Sequence, residues 1–163
     1  MKEAVEEQLH QLRSKATELL YREDWEQYIN LYTHFISLCS HHLSQDPESS
    51  TNLQKSLSVA LSNCAEARYK LRDLSSALRD CNQALEIDPI HLKSLICKGK
   101  VLLDLDRYAP AHECIQRALS VNKSEALVEL LYRFDAQSRT GQIDLSDWLL
   151  NGFNGGPQSL QSM

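Results

Sequence analysis

Glycine and proline are scarce in this 163-residue chain: there are five Gly and four Pro, and Gly152, Gly155 and Gly156 crowd near the C-terminal end. So little backbone punctuation argues against a many-stranded sheet with its turns and favours long helices. Long apolar runs are missing too, and nothing approaches the roughly 18 residues a membrane-spanning helix needs. Positive charge is short: 17 Lys and Arg against 22 Asp and Glu give a formal net charge of −5. The field of the whole chain therefore favours neither nucleic acid nor an anionic membrane surface. The N-terminal MKEAVEEQLHQLRSK is charged, with apolar residues at helical spacing, and reads as an amphipathic helix and not a signal peptide.

Catalytic motifs are absent as well. There is no glycine-rich phosphate loop, no GxSxG and no HExxH. The chain is expected not to be an enzyme and to need no cofactor. Its five cysteines, Cys39, Cys64, Cys81, Cys97 and Cys114, are odd in number, which suggests reduced thiols and a cytoplasmic or nuclear location. No CxxC or HxxxH spacing supports a metal site. Cys39, beside His41 and His42, is expected to be structural or on the surface. The last four cysteines are 17, 16 and 17 residues apart, one on each of four successive helices, so their spacing is a helix spacing. They are expected to pack as small hydrophobes.

What the chain has instead is a repeat. SVALSNCAEARYKLRDLSSALRDCNQALEIDP (58–89) aligns with LKSLICKGKVLLDLDRYAPAHECIQRALSVNK (92–123) at an offset of 34 residues. Ala65 falls over Gly99, Leu74 over Tyr108, Ala77 over Ala111 and Ala84 over Ala118. Small residues recur where two helices must approach closely, and bulky ones where the pair needs a wedge. A weaker unit lies upstream in LRSKATELLYREDWEQYINLYTHFISL, with Ala16 in the small place, Trp25 near the turn and Asp24 with Gln27 as a capping pair.

These units resemble tetratricopeptide repeats (TPRs), helix–turn–helix units with a small residue in the eighth place, a turn aromatic, alanines in the second helix and a closing proline. Pro89 closes one unit, and Lys123 stands in that place in the next. Tyr28 departs from the pattern where alanine is usual, which suggests a differently packed first pair. Ala16 to Ala65 is 49 residues, not 34, and the surplus is read as an extended helix, a turn at residues 45–50 and an early start to the next helix. TPR modules of immunophilin-type co-chaperones carry a similar insertion. The expected fold is all-α, a right-handed superhelix of antiparallel helix pairs. Three repeats (about 9–44, 50–89 and 92–123) and a capping helix at 124–139 form a TPR domain over 1–140. A short amphipathic segment and a disordered tail follow over 141–163.

The first helix of each pair should line a concave groove. Register places Arg13, Thr17 and Leu20 on it from the first unit, and Val59, Ser62, Asn63, Glu66 and Lys70 from the second. Lys93, Ile96, Cys97, Lys100 and Leu103 come from the third. The resemblance implies a site for the EEVD-type C-terminal tails of heat-shock chaperones. Its carboxylate clamp would take a Lys and an Asn on the first inner helix, an Asn on the second, and a Lys then an Arg four residues later on the third. This sequence puts Arg13, Thr17, Asn63, Lys93 and Cys97 in those places, so three of five are filled. Glu66 is expected to repel an acidic tail unless Lys70 or Lys100 neutralises it. The function so implied is a protein–protein scaffold binding a peptide. Two alternatives stand beside it. DLSDWLLNGFNGG faintly resembles the linker of plant TPR–SET-domain methyltransferases, which would make the chain the N-terminal module of a larger enzyme. Otherwise Trp148, Leu149, Leu150 and Phe153 fill the groove from within.

Overall fold

A computed structural model describes residues 2–46 and 51–142; residues 47–50 of the turn read at 45–50 and the readings placed on 143–163 lie outside the described residues, while residues 141 and 142, read as the start of the tail segment, continue the last helix. The described residues form seven helices: α1 (Lys2–Tyr21), α2 (Trp25–Gln45), α3 (Thr51–Lys70), α4 (Leu74–Ile87), α5 (Leu92–Asp104), α6 (Tyr108–Val121) and α7 (Glu125–Gln142). Successive helices pack as antiparallel pairs in a right-handed superhelix, and α3 also lies alongside α5. Among the described residues no helix is long and apolar enough to cross a membrane.

Three helix–helix turns share one backbone design. Glu23, Arg72 and Asp106 take left-handed φ values of 56°, 64° and 58°. In each turn the next residue's N–H reaches back to the last turn of the preceding helix: Asp24 to the Leu19 carbonyl, Asp73 to Arg68, Arg107 to Leu102. This is the closure that satisfies orphan carbonyls at a helix C-terminus, here without the usual glycine. The same residue then opens the following helix. Asp24 Oδ1 accepts from the Gln27 N–H at 3.2 Å and Asp73 Oδ1 from the Ser76 N–H at 3.3 Å. Arg107 has no side-chain cap to offer α6.

The surplus of the first interval is absorbed by helix length. Helices α2 and α3 run for 21 and 20 residues, against 14 and 13 for α4 and α5. Tyr28, in the place of the alanines Ala77 and Ala111, is buried against Tyr32 with ring centroids 4.8 Å apart. Trp25 meets Tyr28 edge-on at 6.1 Å. The first pair thus makes an aromatic core with Leu12, Leu19 and Phe35, where the later pairs use small residues.

The small positions are buried as close-approach sites: Ala16, Ala65, Ala77, Ala84, Gly99, Ala111 and Ala118. All five cysteines are buried free thiols spread over the cores of the stack, Cys39 included. Two expected groove residues are corrected: Ser62 is fully buried and Leu103 is 7% exposed, so both belong to the interior. In a curved stack the inner helix turns part of that face towards its partner.

Candidate functional site

A pocket of about 250 Å³ opens on the concave side between α3 and α5, lined by Glu66, Tyr69, Lys70, Leu92, Lys93, Ile96, Cys97 and Lys100. The helical repeat explains the α3 set. Residues 66, 69 and 70 are three and four apart and share a face. On α5, residues 93, 96, 97 and 100 do the same. The structure therefore brings together Glu66, Lys70, Lys93, Cys97 and Lys100 from the sequence-derived set. Arg13 and Thr17, on α1, are exposed and do not line this pocket. The Thr17 hydroxyl donates to the Arg13 carbonyl at 2.8 Å, a bond within its own helix. Tyr69 and Leu92 escaped the sequence reading. Tyr69 stands three residues from Glu66, and that spacing was the available signal.

Lys93 is the hub. Its Nζ donates to Asn63 Oδ1 at 2.7 Å and lies 2.8 Å from Glu66 Oε2. Both Lys93 and Glu66 are about half exposed at the side chain, so the pair adds little stability but holds the ammonium in place. The expectation that Lys70 or Lys100 neutralises Glu66 is thereby corrected: Lys93 does so, because it lies directly across from Asn63 and Glu66.

A second network closes the rim. Arg72 Nη1 contacts Asp104 Oδ2 at 2.7 Å, and the Arg72 Cζ sits 5.9 Å from the centre of the Tyr69 ring. The Tyr69 hydroxyl has its pKa raised, by burial first and by the nearby Asp104 carboxylate second. The Arg72 contact fixes the aromatic wall of the pocket.

Cys97 sits where the family pattern would place an arginine. It is 6% exposed and packs in one cluster with the fully buried Cys81 of α4. The neighbouring Cys81 thiol lowers the Cys97 pKa, against burial, with Lys100 and Lys93 helping. Cys81 itself is pushed strongly up. Cys97 therefore offers a polarisable, partly apolar wall in place of a guanidinium fork. Among the described residues no group of three or more His, Cys, Asp or Glu side chains could hold a metal ion.

The site thus has two halves. At one end an amide, a carboxylate and an ammonium satisfy one another. Further along, Lys70 and Lys100 project beside Ile96 and Leu92. Such a surface can hold an extended chain carrying negative charge and apolar side chains.

No protein-family model matches the chain. Tetratricopeptide repeat protein 12 of Homo sapiens is 37% identical over 68 residues, which is 42% of this chain and 10% of that protein. The chain spans about a tenth of the length of the curated relatives it matches first. Among solved structures, the myosin chaperone UNC-45 from C. elegans in complex with a Hsp90 peptide superposes with a TM-score of 0.66 and 26% identity, over 85% of this chain and 14% of that one. The first TPR of Spaghetti (RPAP3), bound to HSP90 peptide SRMEEVD, gives a TM-score of 0.60 at 19% identity, over 77% of this chain and 88% of that one. With the 34-residue register, the three like turns and the groove on the first helices, the chain is a tetratricopeptide-repeat domain resembling the TPR modules of co-chaperones.

Proposed function

We propose that this TPR domain is a non-catalytic scaffold whose groove binds an extended acidic peptide, of the kind found at the C-terminal tails of heat-shock chaperones. The observation that carries this reading is a local reversal of charge. Lys70, Lys93 and Lys100 meet a single carboxylate, Glu66, around the pocket, on a chain whose net charge is −5. An acidic peptide is drawn to that island and away from the rest of the surface. Leu92 and Ile96 supply apolar contact for the side chains between its charges. The peptides printed for the UNC-45 and RPAP3 complexes support the same chemistry by likeness of fold.

The clamp differs from the family's in two ways that set its strength. Cys97 cannot give the bidentate grip of an arginine, and Glu66 already occupies Lys93. Affinity should therefore rest on the peptide's charge more than on a single clamped terminus.

Titration of the chain with fluorescent SRMEEVD is expected to show saturable binding. An analogue with both Glu replaced by Gln, Asp by Asn and the terminus amidated should bind at least tenfold more weakly, about 1.4 kcal/mol. Raising the salt from about 50 to about 300 mM should weaken the first peptide and leave the second nearly unchanged. Equal affinity for the two peptides contradicts the proposal.

A further inference from the structure

Two lysines of the groove are left without a carboxylate, and the reason is visible in how their neighbours are used. On a helix the natural partner of Lys70 is the residue four positions before it, Glu66; that carboxylate is held by Lys93 at 2.8 Å. The natural partner of Lys100 is the residue four positions after it, Asp104; that carboxylate is held by Arg72 at 2.7 Å. Among the described residues neither Lys70 nor Lys100 makes an ion pair, and both are exposed.

Register sets them opposite one another. Asn63 on α3 touches Lys93 on α5 across the groove, a separation of 30 residues. Lys70 and Lys100 have the same separation and sit seven residues further along each helix, about 10 Å away at 1.5 Å per residue. Both line the same pocket. Two exposed lysines at matching places on α3 and α5, with the nearby carboxylates paired elsewhere, leave net positive charge on this stretch of the pocket.

We propose that Lys70 and Lys100 form an anion-binding site for a glutamate side-chain carboxylate of an acidic peptide, two helical turns from the Asn63–Lys93 pair. The main electrostatic anchor of the groove lies there. Lys93 stays bound to Glu66 and serves as a wall. Occupying the Lys70–Lys100 site breaks no ion pair of the free protein, whereas anchoring at Lys93 must first displace Glu66 and then tolerate it as a neighbour. This site rests on the reading of the groove as a peptide site, and the test separates the two.

The test uses the full chain with two probes, SRMEEVD and SRMQQVD, which differ only in the glutamate side chains. Lys70→Ala and Lys100→Ala should each weaken SRMEEVD about fivefold, and the pair together on the order of twentyfold, while leaving SRMQQVD unchanged. The charge-neutral double variant Glu66→Ala/Lys93→Ala should weaken SRMEEVD less than Lys70→Ala/Lys100→Ala does, and by the same factor as SRMQQVD. Losses at Lys70 and Lys100 that are the same for both probes overturn the site, because they report general charge only. A loss confined to the Glu66/Lys93 double variant overturns it as well and leaves the proposed function standing. A parent chain that binds neither probe overturns both.

Discussion

Replacing Arg68 by Met is expected to cost about 3 kcal/mol of stability at neutral pH, because it strands a buried carboxylate. Arg68 Nε lies 2.9 Å from Asp80 Oδ2 inside the α3–α4 pair, and Asp80 is 7% exposed. Arg68 also reaches Asp73 at 3.8 Å. Even with this partner the Asp80 pKa is raised, by burial first, with Asp73 adding to it and Arg68 and Arg79 opposing. The sign of the pH dependence follows. A carboxyl whose folded pKa lies above its unfolded value, about 4, favours folding when protonated. That contribution is present below the unfolded pKa and is lost as pH rises through the folded one. Removing Arg68 raises the folded pKa further, so the gap in unfolding midpoint between variant and parent should be small near pH 3 and widen up to pH 7. Adding Asp80→Leu should recover most of the loss, since an apolar pair of similar volume replaces a buried ion pair at little cost. Urea unfolding at several pH values reads this directly. A gap that stays constant with pH would show that packing of the Arg68 stem, not the charge of Asp80, is what matters.

Gly99→Val is expected to be nearly as damaging, at about 3 kcal/mol and a fall in Tm on the order of 10 °C. A Cβ placed on Gly99 would stand 2.7 Å from Ile115 Cδ1, 3.0 Å from its Cγ1 and 3.3 Å from Phe134 Cε2. Ile115 is fully buried and Phe134 is 4% exposed, so neither can swing out to solvent. Valine adds two further methyl groups to that contact, and α5 must move away from both α6 and α7. The helix propensity gained by losing a glycine returns less than about 1 kcal/mol. Trimming the neighbour in Gly99→Val/Ile115→Ala should restore part of the stability, a coupling that separate sites do not show. Thermal and urea unfolding of the four proteins measure it. Additive losses would mean that the clash is not where the structure puts it.

These two positions show what the sequence could and could not reveal. Gly99 was legible because it aligns with Ala65, and a recurrent small residue at fixed period has one simple cause, close approach of helices. The first turn was legible from its capping pair, since Asp24 caps the helix it precedes. Periodicity carries backbone information, and the fold follows from it. Arg68 with Asp80, Lys93 with Glu66 and Arg72 with Asp104 were not legible. Each is a choice among several cations and carboxylates within reach of flexible side chains, decided by packing between helices and not by spacing along one. Register put Asn63, Glu66, Lys93 and Lys100 on one face, but it could not say that Glu66 belongs to Lys93. Ser62 went astray because the edge of a helix face is set by the curvature of the stack, which a flat helical projection lacks.

The central claim is that the concave groove between α3 and α5 receives an acidic peptide. The direct test is amide chemical-shift mapping of the isotope-labelled chain titrated with SRMEEVD. The account predicts progressive shifts concentrated at Glu66, Tyr69, Lys70, Ile96, Cys97 and Lys100, with the second helices α4 and α6 little changed. Shifts centred on α4, α6 or α7, or no shifts at millimolar peptide, would contradict it.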